Sequence, residues 1–145
     1  MKYTGIRMLT ILMFSASLAA IGCGGGDSDD AAKSEGTSRA ALSGTPAQQM
    51  IAVMEMGVNA LKNNSENPAG AAAELNSIMG AYSVAEIRGA ARAARESGQG
   101  ATDAEKGRFK ALQIEYKSLA TTVGGKDPAA FNAAHSAWSA AWGIN

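Results

Sequence analysis

Apolar residues recur every three or four positions along several stretches of the chain between residues 46 and 142. The stripes contain Met50, Val53, Met54, Gly57 and Leu61; then Phe109, Leu112, Tyr116, Leu119 and Val123; and finally Phe131, His135, Trp138 and Trp142. This spacing places the apolar side chains on one face of an α-helix. No stretch alternates apolar and polar residues with period two, so the pattern predicts an all-α domain.

Helix start signals precede these stripes. In Thr45-Pro46-Ala47-Gln48, the threonine can cap a helix, proline suits the first helical position, and Gln48 can close a capping box. Comparable signals occur at Asn67-Pro68, at Thr102 with Glu105, and at Asp127-Pro128. The signals therefore predict four helical segments.

The second segment changes its apolar face between residues 80 and 83. Val84 and Ile87 fall on the side of a straight helix opposite to Leu75, and Ser83 with Glu86 offers another capping box. A break or kink is therefore expected there. With short connections, the simplest architecture is an up-and-down four-helix bundle over residues 45–145.

Residues 24–44 have a different composition, mainly Gly, Ser, Asp, Ala and Thr, with Leu42 as the exception. Such a segment buries too little apolar surface to offset the entropy of ordering. We expect a disordered tether over residues 23–44, with a reach of roughly 25 Å.

The N-terminal segment has the order of a secretory signal. Lys2 and Arg7 precede an apolar run from Met8 to Ile21, which is too short to span a bilayer. Small residues then lead to Cys23, the single cysteine of the chain. An ordinary secretory signal, an uncleaved anchor and a free thiol are the alternatives, although an odd free thiol is unfavourable in an oxidising compartment.

The stretch "AIGC" resembles the lipobox of bacterial lipoproteins, although the family more often carries leucine where this chain has Ala20. The resemblance implies that residues 1–22 are removed and that Cys23 is diacylated on sulfur and becomes the new N-terminus. The protein would then be held by lipid to a membrane of the bacterial cell envelope, with its domain facing the periplasm or the exterior.

Charge excludes one class of partner. The chain has 13 basic and 13 acidic residues, and loss of Lys2 and Arg7 with the signal peptide leaves 11 basic residues. A nucleic-acid-binding protein needs a basic surplus, so nucleic acid is not an expected partner.

His135 is the only histidine, and it lies on an apolar stripe. A lone histidine there is more often a packed residue than a zinc ligand, because zinc sites require three or four protein ligands. However, a methionine sulfur and a histidine nitrogen can together hold haem iron. Met50 and Met54 make such a pairing conceivable.

In layout, residues 46–138 resemble the cytochrome c-prime family and its b-type relatives, with an early methionine and a closing "NAAHSAW" motif. The attachment motif of two cysteines and a histidine is absent, so covalent haem is excluded, and Ser139 stands where an arginine usually follows the closing aromatic. The resemblance implies haem b held by His135 and Met50. An antiparallel pairing with Pro46 level with Trp142 would instead put Met54 nearer, so both methionines are candidates.

Two further features have a functional and a structural interpretation. Arg88, Arg92 and Arg95 share one helix face and could bind an anionic ligand or a lipid headgroup, or could simply be solvated. Trp138 and Trp142 could line a groove or fill the core.

No acid, base and nucleophile are arranged for catalysis. The sequence favours a lipid-anchored bacterial envelope protein with a non-enzymatic helical interaction module, for which another envelope protein is the expected partner. The alternative is a non-covalent haem protein that serves in electron transfer or haem binding.

Overall fold

The computed structural model describes residues 41–144 of the 145-residue chain. The expected signal peptide, Cys23 and the tether as far as residue 40 lie outside the described residues. The described part contains five α-helices and no strand, which confirms the all-α prediction for this region. The helices are α1 (Pro46–Asn63), α2 (Pro68–Ala81), α3 (Val84–Glu96), α4 (Asp103–Lys126) and α5 (Pro128–Trp142).

The four predicted helix starts are confirmed. At α1, the Thr45 side chain accepts a hydrogen bond from the Gln48 amide at 3.3 Å, and the Gln48 side chain accepts one from the Thr45 amide at 3.1 Å. Thr102 and Glu105 form the same capping box at α4. Asn67 and Asp127 cap α2 and α5 through their side-chain oxygens. Each cap satisfies an amide that the helix itself leaves unpaired.

The expectation of four helices requires correction, because the predicted break is complete. Tyr82 has an extended backbone, and the Ser83 hydroxyl accepts a hydrogen bond from the Glu86 amide at 3.3 Å to begin α3. With the chain redirected, Val84 and Ile87 are both buried. The change of apolar face thus produces two separate helices, α2 and α3.

Side-chain contacts give the direction of the long helices. Glu55 pairs with Arg108 at 2.7 Å and Lys62 pairs with Glu115 at 2.6 Å, so both partners advance by seven residues and α1 runs parallel to α4. In contrast, α5 runs antiparallel to α4, since Phe109 contacts Trp142 and Gly124 lies beside Phe131. Helix α2 packs on α1 and α5, and α3 packs on α1 and α5 near the end where α1 and α4 begin.

Large aromatic side chains fill the centre of the bundle. Trp138, Tyr116 and Phe131 have no exposed surface. The Trp138 indole lies directly against Gly57 of α1: a Cβ at that glycine would come within 2.7 Å of the indole Cη2. The indole N–H groups of Trp138 and Trp142 are buried and have no hydrogen-bond partner within residues 41–144.

Among residues 41–144, no helix has the length and apolar character needed to cross a membrane.

Candidate functional site: a groove between α4 and α5

An open groove of about 630 Å³ lies between α4 and α5. Its lining residues are Lys117, Ala120, Thr121, Gly124, Asn132, His135, Ser136, Ser139, Ala140 and Ile144. Three of these residues, Ala120, Gly124 and Ala140, have little or no side chain. Their side chains therefore do not fill the space between α4 and α5 on this side of the bundle. The result is an apolar floor with polar groups along the walls.

His135 is half-buried in one wall of this groove. Its Nδ1 lies 3.2 Å from the Tyr116 hydroxyl and 3.5 Å from the Ser139 hydroxyl. Its ring stacks on Phe131, with ring centroids 5.5 Å apart. In the tautomer that carries the proton on Nε2, the Tyr116 hydroxyl donates to Nδ1, and Nε2 makes no hydrogen bond within residues 41–144.

Burial keeps this pair neutral. It lowers the pKa of His135, because the charged imidazolium is less well solvated there. It raises the pKa of Tyr116 for the corresponding reason, since the phenolate would be desolvated. The phenol therefore retains its proton and is an available donor for the neutral imidazole.

The groove offers hydrogen bonding to a ligand. Asn132, Ser136 and Thr121 supply amide and hydroxyl groups along its walls. No carboxylate of the described residues lines it, so nothing there orients His135 as an aspartate does in a catalytic triad. Within the same part of the chain, no group of three or more His, Cys, Asp or Glu residues could hold a metal ion.

The structure does not bring His135 together with the two methionines. Trp138 lies beside Gly57, so His135 is level with Ala60 of α1 rather than with Val53, as the assumed pairing would have it. Met54 is then about 9 Å away along the helix axis, at 1.5 Å per residue, and Met50 is farther still.

The surroundings of each methionine also disfavour a shared haem. Met54 has no exposed surface, and Met50 lines separate grooves beside α3. Trp138 occupies the space between α1 and α5 that a haem would need. The residues present therefore do not fit a haem held between His135 and either methionine.

The remaining candidates have distinct surroundings. Arg88, Arg92 and Arg95 are all exposed, and Arg88 donates a hydrogen bond from Nη1 to the carbonyl oxygen of Ala141 at 2.6 Å. Trp138 and Trp142 are both buried, with ring centroids 5.9 Å apart, and so belong to the core.

Sequence reasoning missed the polar wall of α5. Asn132, Ser136 and Ser139 have the i, i+4, i+7 spacing of one helix face, beside the aromatic stripe. That spacing was a usable signal, but the opposing wall on α4 follows only from the tertiary fold. Comparisons with protein-family models, with curated proteins and with solved structures found no match to this chain.

Proposed function

We propose that this chain is a lipid-anchored protein of the bacterial envelope that carries a small helical binding module. The proposal of a lipid anchor is supported by the position of the only cysteine, Cys23. This residue comes directly after a basic start, an apolar run and small residues. No role in a disulfide is open to this cysteine within one chain. The expected tether over residues 24–44 separates the anchor from the module.

The groove between α4 and α5 is the proposed binding face. Its volume of about 630 Å³ lies within the range of about 300–1,000 Å³ for ligand sites. An apolar floor with amide, hydroxyl and imidazole groups on the walls suits a polar peptide segment, which presents both backbone hydrogen-bonding groups and side chains. We therefore propose another envelope protein as the partner.

An exposed isoleucine adjoins the proposed binding face. Ile114 is 62% exposed, and it precedes Lys117 and Thr121 of the groove wall by three and seven residues, which places it on the same side of α4. Single exposed apolar side chains are normal on protein surfaces. Ile114 therefore adds only that a partner bound in this groove would also cover an apolar side chain.

Site-specific photocrosslinking tests both parts of the proposal in a bacterial host. A photoreactive residue at Ser136 probes the groove, and one at Ala90, on the exposed side of α3, is the control. A third protein combines the Ser136 probe with Cys23→Ser. We expect a discrete crosslinked product in the membrane fraction for Ser136 and none for Ala90, with the Cys23→Ser protein moving to the soluble fraction.

Two results would count against the proposal, each against a different part. If the Cys23→Ser protein still sediments with membranes after a salt wash, the lipid anchor is wrong. If Ser136 and Ala90 give the same products in equal yield, the groove is not the binding face.

A further inference from the structure

Helix α3 carries arginines whose charge is not neutralised within the described structure. Arg92 and Arg95 make no hydrogen bond or ion pair within residues 41–144, and Arg88 donates to a neutral carbonyl. Four other basic residues of the described part have carboxylate partners: the pairs are Lys62 with Glu115, Lys106 with Asp103, Arg108 with Glu55, and Lys126 with Glu66. The α3 arginines thus form a locally basic surface on a module with nearly balanced charge.

These arginines line shallow grooves beside the first turns of α1. Arg88, Arg92 and Arg95 line a groove of about 240 Å³ with Met50 and Ala91. Arg95 also lines an adjoining groove of about 500 Å³ that includes Ala47, Met50 and Lys106. No carboxylate of the described residues lines either groove. We call the three arginines and Met50 the arginine face.

The arginine face lies at the end of the module that receives the tether. Ala47 lies in the first turn of α1, and Lys106, which shares a groove with it, lies in the first turn of α4. The chain enters this end from residue 44, and 21 residues then separate it from Cys23. If it is disordered, as its composition predicts, a segment of that length reaches roughly 25 Å.

We propose that the arginine face docks on the anionic phospholipid headgroups of the membrane that holds the anchor. This proposal rests on the lipid anchor of the proposed function. Guanidinium groups form two parallel hydrogen bonds to phosphate oxygens, and the partly buried Met50 supplies an apolar surface between them. The expected tether would keep the face at a high effective concentration near the membrane, so that weak contacts would suffice. Docking at this end leaves the side groove between α4 and α5 open to its partner.

The test uses residues 23–145 with Cys23→Ser, so that no lipid anchor contributes to binding. The protein is sedimented with vesicles of phosphatidylglycerol or of phosphatidylcholine at low salt. We expect binding to the anionic vesicles only, with release at high salt, because exposed charges are screened. Arg92→Gln with Arg95→Gln should weaken binding by at least tenfold, since each basic residue near an anionic surface contributes about fivefold.

The matched control is Lys62→Gln with Lys126→Gln. It removes the same net charge from the last turns of α1 and α4, at the opposite end of the module. We expect this control to bind as the parent does, with helix content equal in all three proteins by circular dichroism.

The proposal is overturned if the arginine variant binds as tightly as the parent, if the lysine control loses as much affinity, or if the parent binds both vesicle types equally. Displacement by millimolar inorganic phosphate at constant ionic strength would also overturn it, because the site would then take a free anion. None of these results bears on lipidation, which membrane fractionation of the Cys23→Ser protein decides separately.

Discussion

Helices α5 and α3 are similar in length, 15 and 13 residues, yet they bury very different side chains. Helix α5 buries Phe131, Trp138 and Trp142, whereas the buried residues of α3 are Val84 and Ile87. Each Å² of apolar surface that a helix buries contributes about 25 cal/mol to the free energy of folding. Two helices with comparable start signals are therefore held with different strength, because periodicity predicts the helix and side-chain volume decides how firmly it packs.

The polar contacts reinforce this difference. The α5 side has the partly buried Tyr116–His135 pair, while α3 is joined to the end of α5 by the exposed hydrogen bond from Arg88 to Ala141. We therefore expect substitutions beside α5 to lower the free energy of unfolding more than substitutions on α3.

The largest expected effect is that of Gly57→Val, which places a branched side chain where the Trp138 indole lies. Overpacking of this kind costs typically 1–3 kcal/mol. We expect a loss of about 3 kcal/mol in the free energy of unfolding, because α1 and α5 cannot move apart without breaking their packing on the other helices. Urea denaturation followed by circular dichroism at 222 nm measures the loss.

The matched control for this substitution is Gly89→Val on α3, where an added Cβ meets no atom within 4 Å. Its expected effect is within about 0.5 kcal/mol, as for surface positions generally. Equal effects of the two valines would show that the contrast between α5 and α3 is wrong.

His135→Leu is expected to have the next largest effect. The substitution leaves the buried Tyr116 hydroxyl without its nearest hydrogen-bond partner, which costs about 1–3 kcal/mol. If the histidine merely filled space, leucine would be tolerated, but the contact with Tyr116 predicts a loss of stability. Restoration of stability by Tyr116→Phe in the leucine background, measured by thermal unfolding, would identify the orphaned hydroxyl as the cause.

The pH dependence of the parent provides an independent control. The folded-state pKa of His135 lies below its ordinary value of about 6.5, so the unfolded chain binds a proton first as the pH falls. Stability from this group is complete at pH values well above 6.5 and is lost as the pH falls through 6.5 towards the lower folded-state pKa. His135→Leu removes the only histidine and should flatten this decline; an unchanged slope would assign it to other groups.

Arg88→Ala is expected to have the smallest effect of the three. It removes the hydrogen bond to the last turn of α5, together with a favourable cation near that helix C-terminus, for about 1 kcal/mol. The control is Arg92→Ala, which has no bond to lose among the described residues and should change the melting temperature by less. If the two variants melt together, Arg88 does not hold α3 to α5.

Much of this fold could be predicted from local signals. The capping residues Thr45, Asn67, Thr102 and Asp127 each mark a helix start because a side-chain oxygen is needed where amides lack partners. The break before Val84 was visible as a change of apolar face. These features depend on residues a few positions apart, which is why sequence alone sufficed.

The candidate site was less predictable, because it depends on how the helices align. The pairing of α1 with α5 is set by the fit of Trp138 onto Gly57, and no local pattern encodes that register. Aligning Pro46 at the start of α1 with Trp142 at the end of α5 puts His135 level with Val53. In the structure His135 is level with Ala60, two helical turns away. The groove between α4 and α5 depends equally on which small residues face each other.

The two tryptophans of the chain both belong to α5, and their rings contact each other. Intrinsic fluorescence will therefore report the environment of this one helix and of the residues packed on it. Opening of α3 should change that signal less than unfolding of α5 does, because α3 contains no tryptophan and is joined to α5 near Ala141 only. A fluorescence melt and a far-ultraviolet circular dichroism melt should then differ at their low-temperature edges, and the gap between the two curves would measure how early α3 detaches.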